Sequence, residues 1–450
     1  MNIHWPKIEL PDGFETEESY LRHLVEEGAK NKYGSIDTLI SVRIKHELHA
    51  LKGFEPYILI IHHIVEVCKA NDIFVTAIYK NAACSIVNYC LGITVADPIR
   101  WGLLFERFRA ETDTSFPCIE LFVNLHQSKT FMYHLKEEFG WGYVTKAYDR
   151  FRQKENTFTQ ATSTRIPVTC PKLVFLFDEP FEKALGTIQA EDDCTSEMVD
   201  VPKYSKDILE ELGYVYVHFD YIIDISDALL KEVEHDTGMK IIPEDIPLDD
   251  KETFDNLTKE TPVGSFYWTW KKLLRETKEK YEIGIWDLCN ILTIHYRSFA
   301  SLYIERKKNE KSVMDNSVVS PILRNTLGML LYKEQIYEIL LTVAGMDYRE
   351  AEKTRCALLS HDDKRIDASV ETIMERCLER GLKKKDVFHI LNLIMANMHT
   401  TSSFSHIICY ALLSYREAWL QVHFPESYQK MKEERKRKAI DEDDELLYFI

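Results

Sequence analysis

The most constraining stretch of this chain runs from Ile73-Phe74-Val75-Thr76, across a short loop, into the apolar segment 82–91 that stops at Gly92. Aromatic and β-branched residues predict a strand at 73–76. The segment after the loop predicts a helix with Gly92 as its C-terminal cap. A strand, a loop and a helix N-terminus can together hold a phosphate, because free backbone N–H groups and the helix dipole converge on one spot. Here the loop 76–81 has no glycine. Tyr79 and Asn81 stand where close backbone approach favours Gly or Ser, and Lys80 is left to supply a charge.

Two further strands are expected to join the same sheet. Residues 119–124 have strand-like apolar content, and Pro117 suits a strand entrance. About a hundred residues later, 213–221 alternates apolar and polar. Glu120 and Asp220 are thereby candidates for a carboxylate pair on adjacent strands, the arrangement a Mg²⁺ site for phosphoryl transfer needs. A pair of solvated strand carboxylates is the competing reading. Between them, 157–169 is polar and rich in Thr and Ser, 172–177 is a plain strand and 191–197 an acidic loop.

With 450 residues and 45% apolar content the chain can bury a large core, divided over two or three domains. The formal charge of −17 repels polyanions on average, so any contact with nucleic acid must use a local basic patch. Ten cysteines lie without zinc-binding spacing and read as buried free thiols in a reducing cytoplasm. No stretch approaches the roughly 18 uninterrupted apolar residues of a membrane helix, so no membrane contact is expected. Helical spacing predicts amphipathic helices at 16–30, with Thr16 as N-cap, and at 36–51, then a buried helix at 57–70. His62 and His63 within it read as core residues rather than ligands. From Trp268 onward the pattern is helical throughout. The basic run Arg306-Lys307-Lys308 is a solvated helix face or, alternatively, a contact for a nucleic-acid backbone.

Several blocks then fall in a telling order. Gly53-Phe54-Glu55-Pro56-Tyr57 is followed by Ala82-Ala83-Cys84-Ser85, Tyr89-Cys90-Leu91-Gly92-Ile93-Thr94, Asp97-Pro98 and Leu103-Leu104-Phe105-Glu106-Arg107-Phe108. After these come Val217-His218-Phe219-Asp220, Glu244-Asp245-Ile246-Pro247-Leu248-Asp249-Asp250, Tyr296-Arg297, Tyr303-Ile304-Glu305-Arg306-Lys307, Thr326-Leu327-Gly328, Ser405-His406 and Ala418-Trp419-Leu420. Collinear over residues 17–428, they resemble the alpha subunit of bacterial DNA polymerase III, the C-family replicative polymerases. The resemblance implies an α+β fold: a palm of the polymerase-beta-like nucleotidyltransferase type followed by an all-helical fingers domain. It also implies palm and fingers only, without the family's N-terminal PHP domain or its modules beyond the fingers.

On that resemblance the chain divides into a lead-in (1–15), a first palm part (16–144), a reduced thumb remnant with connecting strands (145–200), a second palm part (201–260), helical fingers (261–430) and a charged tail (431–450). Glu120 and Asp220 become catalytic metal ligands for Mg²⁺. Lys80, Ser85, Arg297 and His406 become nucleotide-binding residues, and Arg306, Lys307 and Lys308 contacts for primer-template DNA. The departures fall at the chemistry. In the family's Pro-Asp-x-Asp strand the first aspartate is here Cys118 and the second Glu120, and the glycine- and arginine-bearing triphosphate loop is Thr76-Ala77-Ile78-Tyr79-Lys80-Asn81. Phe404 stands where a lysine is expected before Ser405.

Each change removes stabilisation of the same developing charge, and one lost donor costs on the order of a hundredfold in rate. The expected function is thus a cytoplasmic polymerase-derived factor of replication or repair that binds DNA or protein, with nucleotidyl transfer impaired or lost. The alternative is an active two-metal DNA polymerase. Glu445-Leu446-Leu447-Tyr448-Phe449 loosely resembles the peptide by which polymerases bind the sliding clamp.

Overall fold

The first two helices start where side chains can cap them. Thr16 Oγ1 accepts from the Ser19 amide at 3.2 Å to open α1 (Glu17–Tyr33), and Asp37 accepts from the Ile40 amide at 2.9 Å to open α2 (Thr38–Ala50). The apolar α3 (Glu55–Ala70) follows with Pro56 in its first turn. The computed structural model describes residues 3–110, 116–155, 165–169, 172–192, 197–222, 226–259, 271–294, 297–309 and 318–441. The chain forms two units, Met1–Asp224 and Ile225–Ile450.

In the first unit the strands are β1 (Val75–Ala77), β2 (Glu120–Asn124), β3 (Val144–Thr145), β4 (Tyr148–Glu155), β5 (Arg165–Thr169), β6 (Leu173–Leu176), β7 (Thr187–Glu191), β8 (Met198–Pro202) and β9 (Val215–Ile222). Five make one sheet in the order β1-β2-β9-β6-β3, with β2 and β9 parallel and β6 antiparallel to β9. Along β9, Val215, Val217 and Phe219 are buried while Tyr216, His218 and Asp220 are half-buried, as the alternation predicts. The buried face of β9 is covered by the helix Ser128–Phe139, whose Phe131 ring lies 5.7 Å from that of Phe219. The segment expected to be a thumb remnant contains a second sheet, β4-β5-β7-β8, in which β7 pairs antiparallel with β8 over five residue pairs. Its strand sequences lack the long apolar runs that make strands visible in a sequence.

The segment 82–91 departs from the expected single helix. A 3₁₀ turn, Ala82–Cys84, is separated by Ser85 from a short helix, Ile86–Cys90. The cause is Glu47 of α2, which is completely buried. Its carboxylate accepts from the Ser85 hydroxyl at 2.6 Å and from the Ile86 and Val87 amides at 3.0 and 3.2 Å. Arg43 completes the group, donating to Glu47 at 2.6 Å and to the carbonyls of Cys84 and Leu103 at 2.9 Å each. The helix N-terminus that a phosphate would use is filled by a carboxylate of the protein itself.

The second unit is helical over its described residues, apart from one isolated bridge between Tyr332 and Ser402. The helix Phe404–His423 organises it. Arg416 pairs with Asp227 at 2.9 Å, the Tyr415 hydroxyl donates to the Pro247 carbonyl at 2.7 Å, and Asn256 donates to Gln421 at 3.0 Å. Residues 226–259, expected to belong to the palm, therefore pack within the helical unit. No described helix is long and apolar enough to cross a membrane.

Replacing Glu47 tests how far the fold rests on this buried charge. Glu47→Ala strands Arg43, Ser85 and two amides, and should lower the stability of the first unit by about 3–5 kcal/mol in urea unfolding. A loss below about 1 kcal/mol would contradict a structural role.

Candidate functional site

In the parallel β2–β9 pair Glu120 lies opposite His218, and Phe122 opposite Asp220. Residues two apart on a strand share a face, so Glu120, His218 and Asp220 are on one side of the sheet. Cys118, two residues before Glu120, is exposed. Lys80 enters from the loop after β1, where Lys80 and Asn81 both adopt left-handed backbone, φ 57° and 60°. That conformation costs roughly 1 kcal/mol or more for a residue with a Cβ. The loop is held in it by Asn81, whose amide donates to the Arg107 carbonyl at 3.0 Å.

The charges on this face respond to one another. Desolvation and the neighbouring Asp220 push the Glu120 carboxyl above its ordinary range, while Lys80 and Lys172 pull it back. Burial lowers the His218 imidazole, and Lys80 and Lys206 lower it further. Desolvation raises the Cys118 thiol against the pull of Lys80. Asp220 itself is engaged twice: its Oδ1 receives the Lys172 ammonium at 2.5 Å and the Tyr221 amide at 2.6 Å. Lys172 sits in left-handed backbone at the mouth of β6, and its carbonyl accepts from the Phe219 amide at 2.9 Å.

The resemblance implies Mg²⁺ here, and the donors present do not suit it. One of the three positions offers a thiol, which favours softer ions. A second, Asp220, has one oxygen occupied by the Lys172 ammonium. Among the described residues, Cys118, Glu120 and Asp220 do not bring three ligand atoms within 4.8 Å of one another. The group that does, Glu232, His235 and Asp236 in the helical unit, is taken by Lys430, which pairs with both carboxylates.

Of the residues expected at the site, the structure brings together Lys80, Glu120 and Asp220. Ser85 is fully buried and committed to Glu47. Lys307 is only 13% exposed and pairs with Asp287 at 3.1 Å, Arg306 donates to the Leu327 carbonyl at 2.9 Å, and Lys308 remains exposed. Those first two side chains thus hold the helical unit together, where a solvated cationic stripe was one reading. The Arg297 side chain and Glu445-Leu446-Leu447-Tyr448-Phe449 lie outside the described residues. Phe404, standing at the expected lysine, stacks on Trp286 with centroids 4.8 Å apart. Lys172 and His218 escaped sequence reasoning, because only the pairing of β6 and β2 with β9 places them beside the carboxylates.

A sheet carrying acidic residues on adjacent parallel strands, followed by a unit that is helical over its described residues, fits a polymerase-type palm with fingers. Two family profiles agree: "Bacterial DNA polymerase III alpha NTPase domain" matches residues 19–165, and "Bacterial DNA polymerase III alpha subunit finger domain" matches residues 223–381. The DNA polymerase III subunit alpha of Halalkalibacterium halodurans is 24% identical over 487 aligned positions, covering 94% of this chain and 43% of that protein. Those of Staphylococcus aureus strains COL and MRSA252 are 24% and 25% identical, covering 93% of this chain and 45% of theirs. The chain belongs to the bacterial DNA polymerase III alpha subunit family. It spans a little under half the length of these relatives.

His406, in the helical unit, yields a pH prediction. Burial, reinforced by Lys333, lowers its imidazole from the ordinary 6.5 to about 3. The unfolded chain then takes up the proton first as pH falls. Stability from this group is full above about 6.5 and declines toward pH 3. Between about pH 7.5 and 5, wild type should lose ~1–2 kcal/mol more than His406→Gln in urea titrations. Equal losses would mean that the imidazole is not held neutral.

Proposed function

We propose that the chain is a polymerase-derived binding factor of DNA replication or repair in which nucleotidyl transfer is impaired or lost, acting in the cytoplasm on primer-template DNA or on other replication proteins. The observation that carries this reading is the Lys172 ammonium on Asp220, beside a thiol at Cys118. Phosphoryl transfer draws most of its rate from metals and cations arranged around the phosphate oxygens. A lysine that neutralises a ligand carboxylate competes with the metal for the same oxygens. The cost of one lost donor is on the order of a hundredfold, and several in one site compound it.

The fold is retained around the altered chemistry. Lys80 still faces Glu120, the parallel β2–β9 pair is intact, and the helical unit keeps the family's pattern. This favours a role in binding. Partner proteins belong to the same reading, with residues 445–449 as a clamp-binding peptide.

Primer extension with Mg²⁺ and with Mn²⁺ tests the proposal. Neither wild type nor Asp220→Ala should extend a primer. Extension by wild type that Asp220→Ala abolishes would establish the active polymerase instead. In gel shifts, primer-template binding should weaken steeply between about 50 and about 200 mM salt if phosphate contacts dominate. Absence of binding at low salt would leave proteins as the partners. Clamp binding unchanged after deletion of 441–450 would remove the tail from the proposal.

A further inference from the structure

On the reverse face of the palm sheet lies a cavity of about 530 Å³, formed within the first unit. The helix Ser128–Phe139, α5 when the five-residue Ile86–Cys90 is counted as α4, supplies one wall with Lys129, Met132, Tyr133 and Lys136. These positions recur at three- and four-residue spacing and so project from one side of the helix. Tyr221 reaches the cavity from β9. Because neighbouring strand residues point to opposite faces, this site and Asp220 lie on opposite sides of the same sheet.

Two aromatic rings at the cavity remain open to solvent. Trp141 is 58% exposed and Tyr133 48%. Neither ring is loose: they meet edge-to-face with centroids 5.9 Å apart, and the Trp141 indole N–H donates to Glu137 at 3.4 Å. Lys136 Nζ sits 5.4 Å from the indole centroid. Exposed aromatic surface is costly to leave in water, and here it is held in a fixed orientation beside cations.

The charges are sorted as well. Lys146 and Asp192 close on each other at 3.1 Å, and Asp200 accepts from Gln189 at 2.5 Å. Lys129 and Lys136 pair with no carboxylate among the described residues. The exposed Glu182 on the facing wall disfavours a phosphate there, which leaves the α5 side as its path. Aromatic rings, a cavity of ligand size and lysines without a carboxylate partner along one edge are the features by which proteins hold unpaired nucleotides.

We infer that this cavity binds one unpaired nucleotide of a DNA single strand, its base against Trp141 and Tyr133 and its phosphates along Lys129 and Lys136. The inference rests on the reading that the chain acts on DNA, and it adds a second contact away from the carboxylate face. The strand would be held by stacking, with little preference among bases.

Anisotropy of a fluorescein-labelled (dT)20 with the full chain tests it. Wild type should bind at low salt, and Trp141→Ala should weaken binding about tenfold or more, with Trp141→Phe restoring most of it. Lys129→Glu/Lys136→Glu should weaken it as well, and Lys129→Glu alone, whose lysine does not touch the indole, should weaken it in part. A fully paired duplex should be bound equally by wild type and Trp141→Ala. Equal (dT)20 affinity for wild type and Trp141→Ala, or no (dT)20 binding by wild type, would overturn the inference. Primer-template binding in the same buffer separates the two readings: retained while Trp141→Ala leaves (dT)20 unaffected, it sinks the cavity and spares DNA binding. Free dTMP that binds in place of the oligonucleotide, and is lost with Trp141→Ala, would overturn the strand as the source. Because these side chains are largely on the surface, unfolding midpoints of the variants should match wild type.

Discussion

A single buried carboxylate sets the geometry from which the palm is built. Glu47 has no access to water, and burial raises its carboxyl despite the Arg43 guanidinium and the Ser85 hydroxyl that offset the cost. Removing a charge from water is unfavourable unless its lone pairs are met, and here a guanidinium, a hydroxyl and two amides meet them. The consequence reaches beyond α2. By capturing the Ile86 and Val87 amides, Glu47 decides where the helix after β1 begins, and Arg43 ties the Cys84 and Leu103 carbonyls to the same point. The loop carrying Lys80 is thus held from behind.

Much of this framework was legible in the residues. Thr16 as a cap, the apolar α3 and the alternation along β9 each follow from a local rule, and the structure repeats them. The order of family blocks identified palm and fingers, and the blocks at 82–85 and 89–94 are almost wholly buried. What was not legible depended on contacts between distant segments. Glu47 reads as one more acid on an amphipathic helix until Ser85 is placed against it. The sheet of β4, β5, β7 and β8 lacks apolar runs, so nothing in its composition announces strands. Residues 226–259 looked like palm by family order, yet Asp227 and Asn256 answer to Arg416 and Gln421.

The carboxylate face shows a similar division. Glu120 and Asp220 were identifiable as neighbours from strand patterns alone, and Lys80 from its loop. Lys172 was not, because its approach to Asp220 requires β6 to lie against β9 with a left-handed turn at its mouth. An ammonium at 2.5 Å gives Asp220 locally much of the charge compensation that a divalent ion gives it elsewhere in the family. The Lys172 ammonium lies beside both carboxylates and offsets their mutual repulsion at the centre of the sheet.

The order β1-β2-β9-β6-β3 also has a temporal side. β9 is the central strand and the last of the five to be synthesised; β2 and β6 are both made before it and must wait for it. Parallel pairing with β2 spans about ninety residues of intervening chain, a contact of long sequence separation that forms slowly. Until residue 222 leaves the ribosome, β2 and β6 present unpaired edges, the kind of surface on which chains associate wrongly. The second sheet and α5 belong to that interval, folding beside an unfinished sheet before its middle arrives.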